Sequence, residues 1–342
     1  MYDPNIPEYS IDLNREESDR WSDVIIAERK SAKALGRQAL KDADAAVQEQ
    51  SSWLPGLIRN SLMTFVAPIA RQTYALAGGL YVDEMDAWSD ALDMSRGFST
   101  ILNCTYELAM MCTAGVVMTP KGPVHVRSVD WPLTKIGPAT CVFHFKKGTH
   151  RFVAVGLAGH VGVLSGMVPG AYSITMNYAP SDGLSLDYGP SFYLRQVFET
   201  CKTYKQAVSA LQRADLAAAA FFVVCGVKPG EACVVERTRK ESAVRRIEGK
   251  VLTQANHHEM PKFRDRNEAL ADFDPDTEEM SVLDYSILRA QTLKTALQKF
   301  VKQTDPKKVA SALDEDPVCN EHSYQQMVFM PKTGEFKAWR WV

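Results

Sequence analysis

In "MMCTAGVVMTPKGPVHVRSVD" (110–130) a cysteine opens one apolar run, and an arginine and an aspartate close the next. Arg127 and Asp130 follow Cys112 by 15 and 18 residues. Pro120-Lys121-Gly122 between the runs reads as a hairpin turn, which carries both charges back toward the start of the first strand. An offset of three places them on opposite faces near the same end. A guanidinium beside a thiol favours thiolate, and a carboxylate can hold an ammonium. The ordinary alternatives are a buried filler cysteine and a structural ion pair.

The set becomes chemistry if the Met111–Cys112 bond is cut. Cys112 then carries nucleophile and base on one residue, because a free α-amine has a pKa of about 7.7–8.0 and can accept the thiol proton. The thiol attacks an acyl carbonyl and the amine returns the proton to the leaving nitrogen. A donor for the oxyanion is still required.

These residues sit at a junction of two textures. Residues 1–111 read mainly as helix, with Trp21, Ile25, Ala32, Leu35 and Ala39 at near-helical spacing. Within them the stretch 53–82 is apolar but broken by Arg59, Pro68 and Arg71. That suits core packing, or a surface that touches a membrane or receives an acyl chain, rather than a span. From Gly115 onward short β-branched and aromatic runs dominate, at 139–147, 151–157, 171–178, 218–227, 231–237 and 243–254. Helices are expected near 190–213 and 281–302, and a closing hairpin about Lys332-Thr333-Gly334. Strands in runs and helices in blocks imply an α+β layered domain.

Composition narrows the function classes. Of 342 residues 46% are hydrophobic and 23% charged, with a net charge of −2, so no nucleic-acid footprint is expected. The seven cysteines lack CxxC spacing, which argues against zinc and a full disulfide framework. Cys141, Cys201, Cys225 and Cys233 lie in apolar runs and read as inert core thiols; His257-His258 reads as a surface pair. The polar, acidic start carries no secretory signal, so a reducing cytoplasm is the default, and a lysosomal or secreted location would require a removed signal.

The motifs together resemble the acid ceramidase and N-acylethanolamine acid amidase branch of the choloylglycine-hydrolase-related N-terminal nucleophile (Ntn) hydrolases. The similar tracts are "LNCTYELAMMCT", "RSVDW", "GLAGHVGVLSGMVPGAYSITMNY" (156–178) and "LTQANHHEMPKFRDRNEAL" (252–270), in that order. Tyr178 stands where that branch carries a glutamate.

The resemblance implies a four-layer αββα sandwich of two antiparallel sheets. A helical segment 1–111 would be cut from the catalytic domain 112–342 and stay associated with it as a heterodimer. It implies Cys112 as nucleophile and amine base, and Arg127 as the arginine steadying thiolate and substrate. Asp130 would bind the α-ammonium, Asn256 would donate to the oxyanion, and Asn177 would be a second site asparagine. Arg266 would be the distal arginine, with Arg264 as its rival. Trp131, Tyr178, Leu62 and Phe65 would line the substrate. No metal or organic cofactor is implied. The expected activity is hydrolysis of a linear amide of a lipid-like acyl chain. N-acyl amino acids, acyl homoserine lactones and bile-salt amides are alternatives, as is a non-catalytic lipid-binding scaffold.

Overall fold

A computed structural model describes residues 2–50, 67–105, 111–131, 133–180, 187–271 and 280–342. Leu62 and Phe65, with the acyl-receiving role expected of them, lie outside the described residues, as does the acidic stretch 272–279.

Two sheets form the body. The first runs in the order β1 (Tyr2–Asp3), β14 (Glu335–Trp341), β13 (Ser323–Met330), β4 (Gly122–Asp130), β3 (Met111–Thr119), β12 (Val251–Gln254). The second runs β11 (Ser242–Arg246), β10 (Ala232–Arg237), β9 (Ala220–Cys225), β8 (Tyr172–Tyr178), β7 (Ser165–Val168), β6 (His150–Leu157), β5 (Thr140–Lys147), β2 (Glu8–Asp12). Every pairing is antiparallel except that of β2 with β5.

The helices are α1 (Ser22–Gln50), α2 (Val82–Leu92), α3 (Arg96–Thr105), α4 (Ile136–Ala139), α5 (Pro190–Thr200), α6 (Tyr204–Leu211) and α7 (Val282–Gln298), with a further unnumbered helix at 67–76. Thr203 and Ser281 cap α6 and α7 by accepting from Gln206 N and Asp284 N, each cap contributing about 1 kcal/mol.

Period-two alternation explains the layering. Ala114, Val116 and Met118 of β3 point between the sheets onto Phe221, Val223 and Val234. Val117, Val124 and Val126 point outward onto Leu293 and Leu297 of α7. Gly115 is outward too, and a Cβ there would meet Leu297 Cδ1 at 2.7 Å, so only glycine lets α7 approach this closely. On the outer face of the second sheet Phe145 stacks on Phe152, and Phe152 on Phe198 of α5. Trp21, just before α1, meets Phe143 edge-on. The result is helix, sheet, sheet, helix.

The mainly helical N-terminal segment also supplies β1 to one sheet and β2 to the other. One expectation is corrected. The run 243–254 is two strands, split at Gly249, where φ is 78°; β11 joins one sheet and β12 the other.

Candidate active site

The β3–β4 hairpin pairs Cys112 with Val129 and Met111 with Asp130. Cys112 and Arg127 therefore point inward, and Met111, Thr113 and Asp130 outward. The inward arginine is fully buried and reaches the sulfur, with Nη2 3.1 Å from Sγ of Cys112. Its other contacts come from the opposite sheet: Nη1 donates to Leu164 O at 2.7 Å and to Ser165 Oγ, and Nη2 donates to Met176 O. Burial pushes the Cys112 thiol up, and the Arg127 charge pulls it back toward thiolate.

The outward carboxylate of Asp130 accepts from Ser323 Oγ at 2.6 Å and Ser128 Oγ at 2.9 Å. It also pairs with Arg289 Nη1 at 3.5 Å. Burial raises its pKa against these partners. In the uncut chain Asp130 is thus beneath Met111 rather than on the Cys112 nitrogen, whose N–H donates to Asn256 Oδ1 at 3.0 Å.

Asn256 follows β12 and lies beside Cys112. Its Oδ1 also accepts from Arg289 Nη2 at 2.9 Å, and its Nδ2 donates to Tyr178 O at 2.9 Å. Two donors facing one atom identify it as oxygen, which fixes the amide orientation. Asn177, on the inward face of β8, spreads Nδ2 over Gln254 O (3.0 Å), Ala255 O (3.1 Å) and Cys112 O (3.4 Å). Its Oδ1 is buried without a hydrogen-bond partner among the described residues.

The structure thus brings together Cys112, Arg127, Asp130, Asn177 and Asn256. Tyr178 contributes its carbonyl and is half-buried. Trp131 is 5% exposed and packs in the core beside Cys112 and Val129. The expected distal arginines stand elsewhere. Arg264 is exposed, donates to Glu259 O, and lines a cavity of about 790 Å³ between β12, α7 and the 3-10 helix 261–270. Arg266 is half-buried in that 3-10 helix, and its charge acts on Glu241.

The arginine in contact with the site is Arg289 of α7, which sequence reasoning missed. Fully buried, it ties Asp130, Asn256 and Thr113 Oγ1 (2.9 Å) together. Ser286, one turn earlier, accepts from Asn256 N at 2.8 Å and bonds His257 Nδ1 at 2.8 Å. The buried positions of α7 are 286, 289, 290, 293, 296 and 297, so Ser286 and Arg289 interrupt an apolar stripe. That interruption is the signal.

His257 and His258 are 7% and 1% exposed, not surface residues, because Ser286 and Glu236 give them partners.

Burial raises the Cys112 thiol overall, and the charges of Arg127 and Arg289 oppose that rise while Asp130 adds to it. The sulfur is fully enclosed.

Residues 117–328 match the family described as acyl-coenzyme A:6-aminopenicillanic acid acyl-transferase, more than half of the chain. Acid ceramidase of Heterocephalus glaber is 26% identical over 265 residues, covering 69% of this chain and 65% of that protein. Acid ceramidase of Homo sapiens is 27% identical over 272 residues, again covering 69% and 65%. The match thus spans less than two thirds of the length of these relatives. A Caenorhabditis elegans N-acylethanolamine-hydrolyzing acid amidase ortholog shares the fold with a TM-score of 0.54 at 22% identity, covering 68% of this chain and all of the other. The chain belongs to the acyl-coenzyme A:6-aminopenicillanic acid acyl-transferase family of Ntn hydrolases, as an acid ceramidase-like member.

Proposed function

We propose that the chain is an N-terminal cysteine amidase that matures by cutting its own Met111–Cys112 bond and then cleaves linear amides of fatty acyl chains. The observation that carries this is the buried Cys112 sulfur 3.1 Å from Arg127 Nη2, with the nitrogen of the same residue on Asn256 Oδ1. In maturation the thiolate adds to the Met111 carbonyl carbon. The C–N bond breaks, the nitrogen takes the thiol proton, and a thioester with a free α-amine results. Water cleaves the thioester, which leaves a Met111 carboxylate and the thiol. The carboxylate of Asp130, across the hairpin from Met111, is the anion we assign to the new ammonium.

In turnover the α-amine, with a pKa of about 7.7–8.0 when unperturbed, takes the thiol proton. The sulfur attacks the substrate carbonyl, and the leaving nitrogen departs as the free amine with that proton. Water then releases the fatty acid. Nδ2 of Asn256, now on Tyr178 O, and Nδ2 of Asn177, 3.4 Å from Cys112 O, are the side-chain amide donors we assign to the oxyanion. The similarity to acid ceramidases supports a fatty-acyl amide as the substrate class. The apolar stretch of the N-terminal segment suits a long acyl chain or a peripheral membrane contact.

The test has two arms. Intact mass should give fragments 1–111 and 112–342 that co-elute, while Cys112→Ala remains one folded, inert chain. A cut in Cys112→Ala would assign the cleavage to another protease. For N-acyl amides from C4 to C18, kcat/KM should rise by up to about fourfold per methylene, the equivalent of ~0.8 kcal/mol each, until the channel fills. A flat acyl profile with sharp discrimination among amines would overturn the lipid assignment.

A further inference from the structure

The loop 158–164 ends on the atoms that hold Arg127. Leu164 O and Ser165 Oγ accept from its Nη1, while Nη2 of the same guanidinium faces Cys112 Sγ. Three residues before Leu164, both backbone groups of Val161 are gripped. Its N–H donates to Asn103 Oδ1 of α3 at 2.9 Å, and its carbonyl accepts from Arg195 Nη1 of α5 at 2.8 Å. Asn103 Nδ2 donates to Gly159 O at 3.2 Å.

Arg195 is in turn fixed from the N-terminal segment. It is fully buried, and Glu84 of α2, also fully buried, accepts from its Nη2 at 2.8 Å and from its Nη1. The same carboxylate takes Arg20 Nη1 at 2.8 Å and Trp21 Nε1, and the Tyr81 ring lies 3.9 Å from the guanidinium carbon. At Gly162 the loop packs closely on Ser191 of α5, where a Cβ would meet Ser191 Oγ at 2.4 Å.

We propose that the N-terminal segment is a positioning part of the site: Asn103 and Glu84, acting through the loop 158–164, hold Leu164 and Ser165 where they aim Arg127 at the Cys112 sulfur. Without the segment the Val161 N–H and the Gly159 carbonyl lose these partners, and among the described residues Arg195 keeps Glu199 alone as a paired counter-charge. A buried group left unpaired moves or is hydrated, and the end of this loop moves with it. The inference deepens the amidase reading and rests on it for the turnover measurement, but not for the thiol measurement.

The experiment uses the processed, associated protein with Asn103→Ala, Asn103→Asp and Glu84→Gln. Iodoacetamide labelling of Cys112 is followed by peptide mass across pH, beside kcat, KM and melting temperature. Asn103→Ala should shift the labelling profile to higher pH, because Arg127 supports the thiolate less. It should lower kcat by about 10- to 100-fold, the scale of a misplacement near 1 Å, with KM changed by less than about twofold. Asn103→Asp keeps an acceptor for the Val161 N–H and should recover part of the loss, and it carries the test if the alanine variant fails to fold. Glu84→Gln should shift the profile in the same direction. A lower melting temperature with wild-type labelling and kcat would overturn the proposal and leave the segment a purely structural part. Wild-type protein without amidase activity, in which Asn103→Ala still shifts the labelling, would sink the amidase reading and leave the positioning role standing.

Discussion

Arg289→Met is the perturbation that most sharply separates a site arginine from a packing arginine. Its guanidinium contacts Asp130 at 3.5 Å, Thr113 Oγ1 at 2.9 Å and Asn256 Oδ1 at 2.9 Å, all within the protein interior. Removing one partner of a buried pair costs about 3–5 kcal/mol. At about 2 °C per kcal/mol for a chain of this size the melting temperature should fall by roughly 6–10 °C. Asp130 keeps the hydroxyls of Ser128 and Ser323, and its pKa is already raised by burial. Without Arg289 its folded-state pKa rises further above the unfolded value. The deficit of the variant should therefore be largest where Asp130 is charged, and should narrow as pH falls through that raised pKa and the carboxyl takes a proton. Adding Asp130→Asn removes the stranded charge, so the double variant should be less damaged than the sum of the singles, with a coupling of about 1–3 kcal/mol. The assay is chemical denaturation of all four proteins, made uncleavable by Cys112→Ala, at several pH values. Additive losses with no pH dependence would refute the pairing as the reason for Arg289.

Asn256→Asp keeps an oxygen for Cys112 N–H and Arg289 but loses the amide donor; kcat in processed protein should fall by about 10²–10³, and a change below about threefold would show that no oxyanion donor comes from Nδ2. His125, His160 and His257 are pushed down by burial to about 3, about 3 and about 4. Their folded values lie below the unfolded value of about 6.5, so stability should be full above pH 6.5 and fall as pH drops toward 4, by up to ~1.4 kcal/mol per pH unit for each. A urea midpoint unchanged between pH 7 and pH 5 would refute neutral burial of these rings.

Local signals made the hairpin legible. Pro120-Lys121-Gly122 between alternating runs gave the turn, and the offset of three put Arg127 and Asp130 on opposite faces, as the register has them. Other features were settled by distant partners that no local pattern names. β1 and β2 are strands because β14 and β5 offer them edges. Residues 243–254 change sheet at Gly249, where composition stays constant while direction changes. Arg289 was hidden because its relation to Cys112 exists only when α7 crosses β3, whereas Arg264 and Arg266 stood close to Asn256 in sequence. The buried histidines at 257 and 258 looked like a surface pair because Ser286 and Glu236, which let them be buried, are 29 and 22 residues away.

The two N-terminal strands give the proposed cut a direction in time. Tyr2–Asp3 closes the edge of one sheet and Glu8–Asp12 the edge of the other. In the single chain both find their places at the high effective concentration of a tethered segment. After cleavage at Met111 the same strands belong to a separate molecule, and recovery from full unfolding becomes a second-order encounter between two fragments, each lacking part of its core. Under the proposed cut, folding would have to come first and scission second, and the processed protein would persist as a kinetically trapped product rather than as an equilibrium fold. Maturation by that cut would be a ratchet: the uncut chain would carry the instructions for assembly, and the cut would erase them while leaving the assembled object intact.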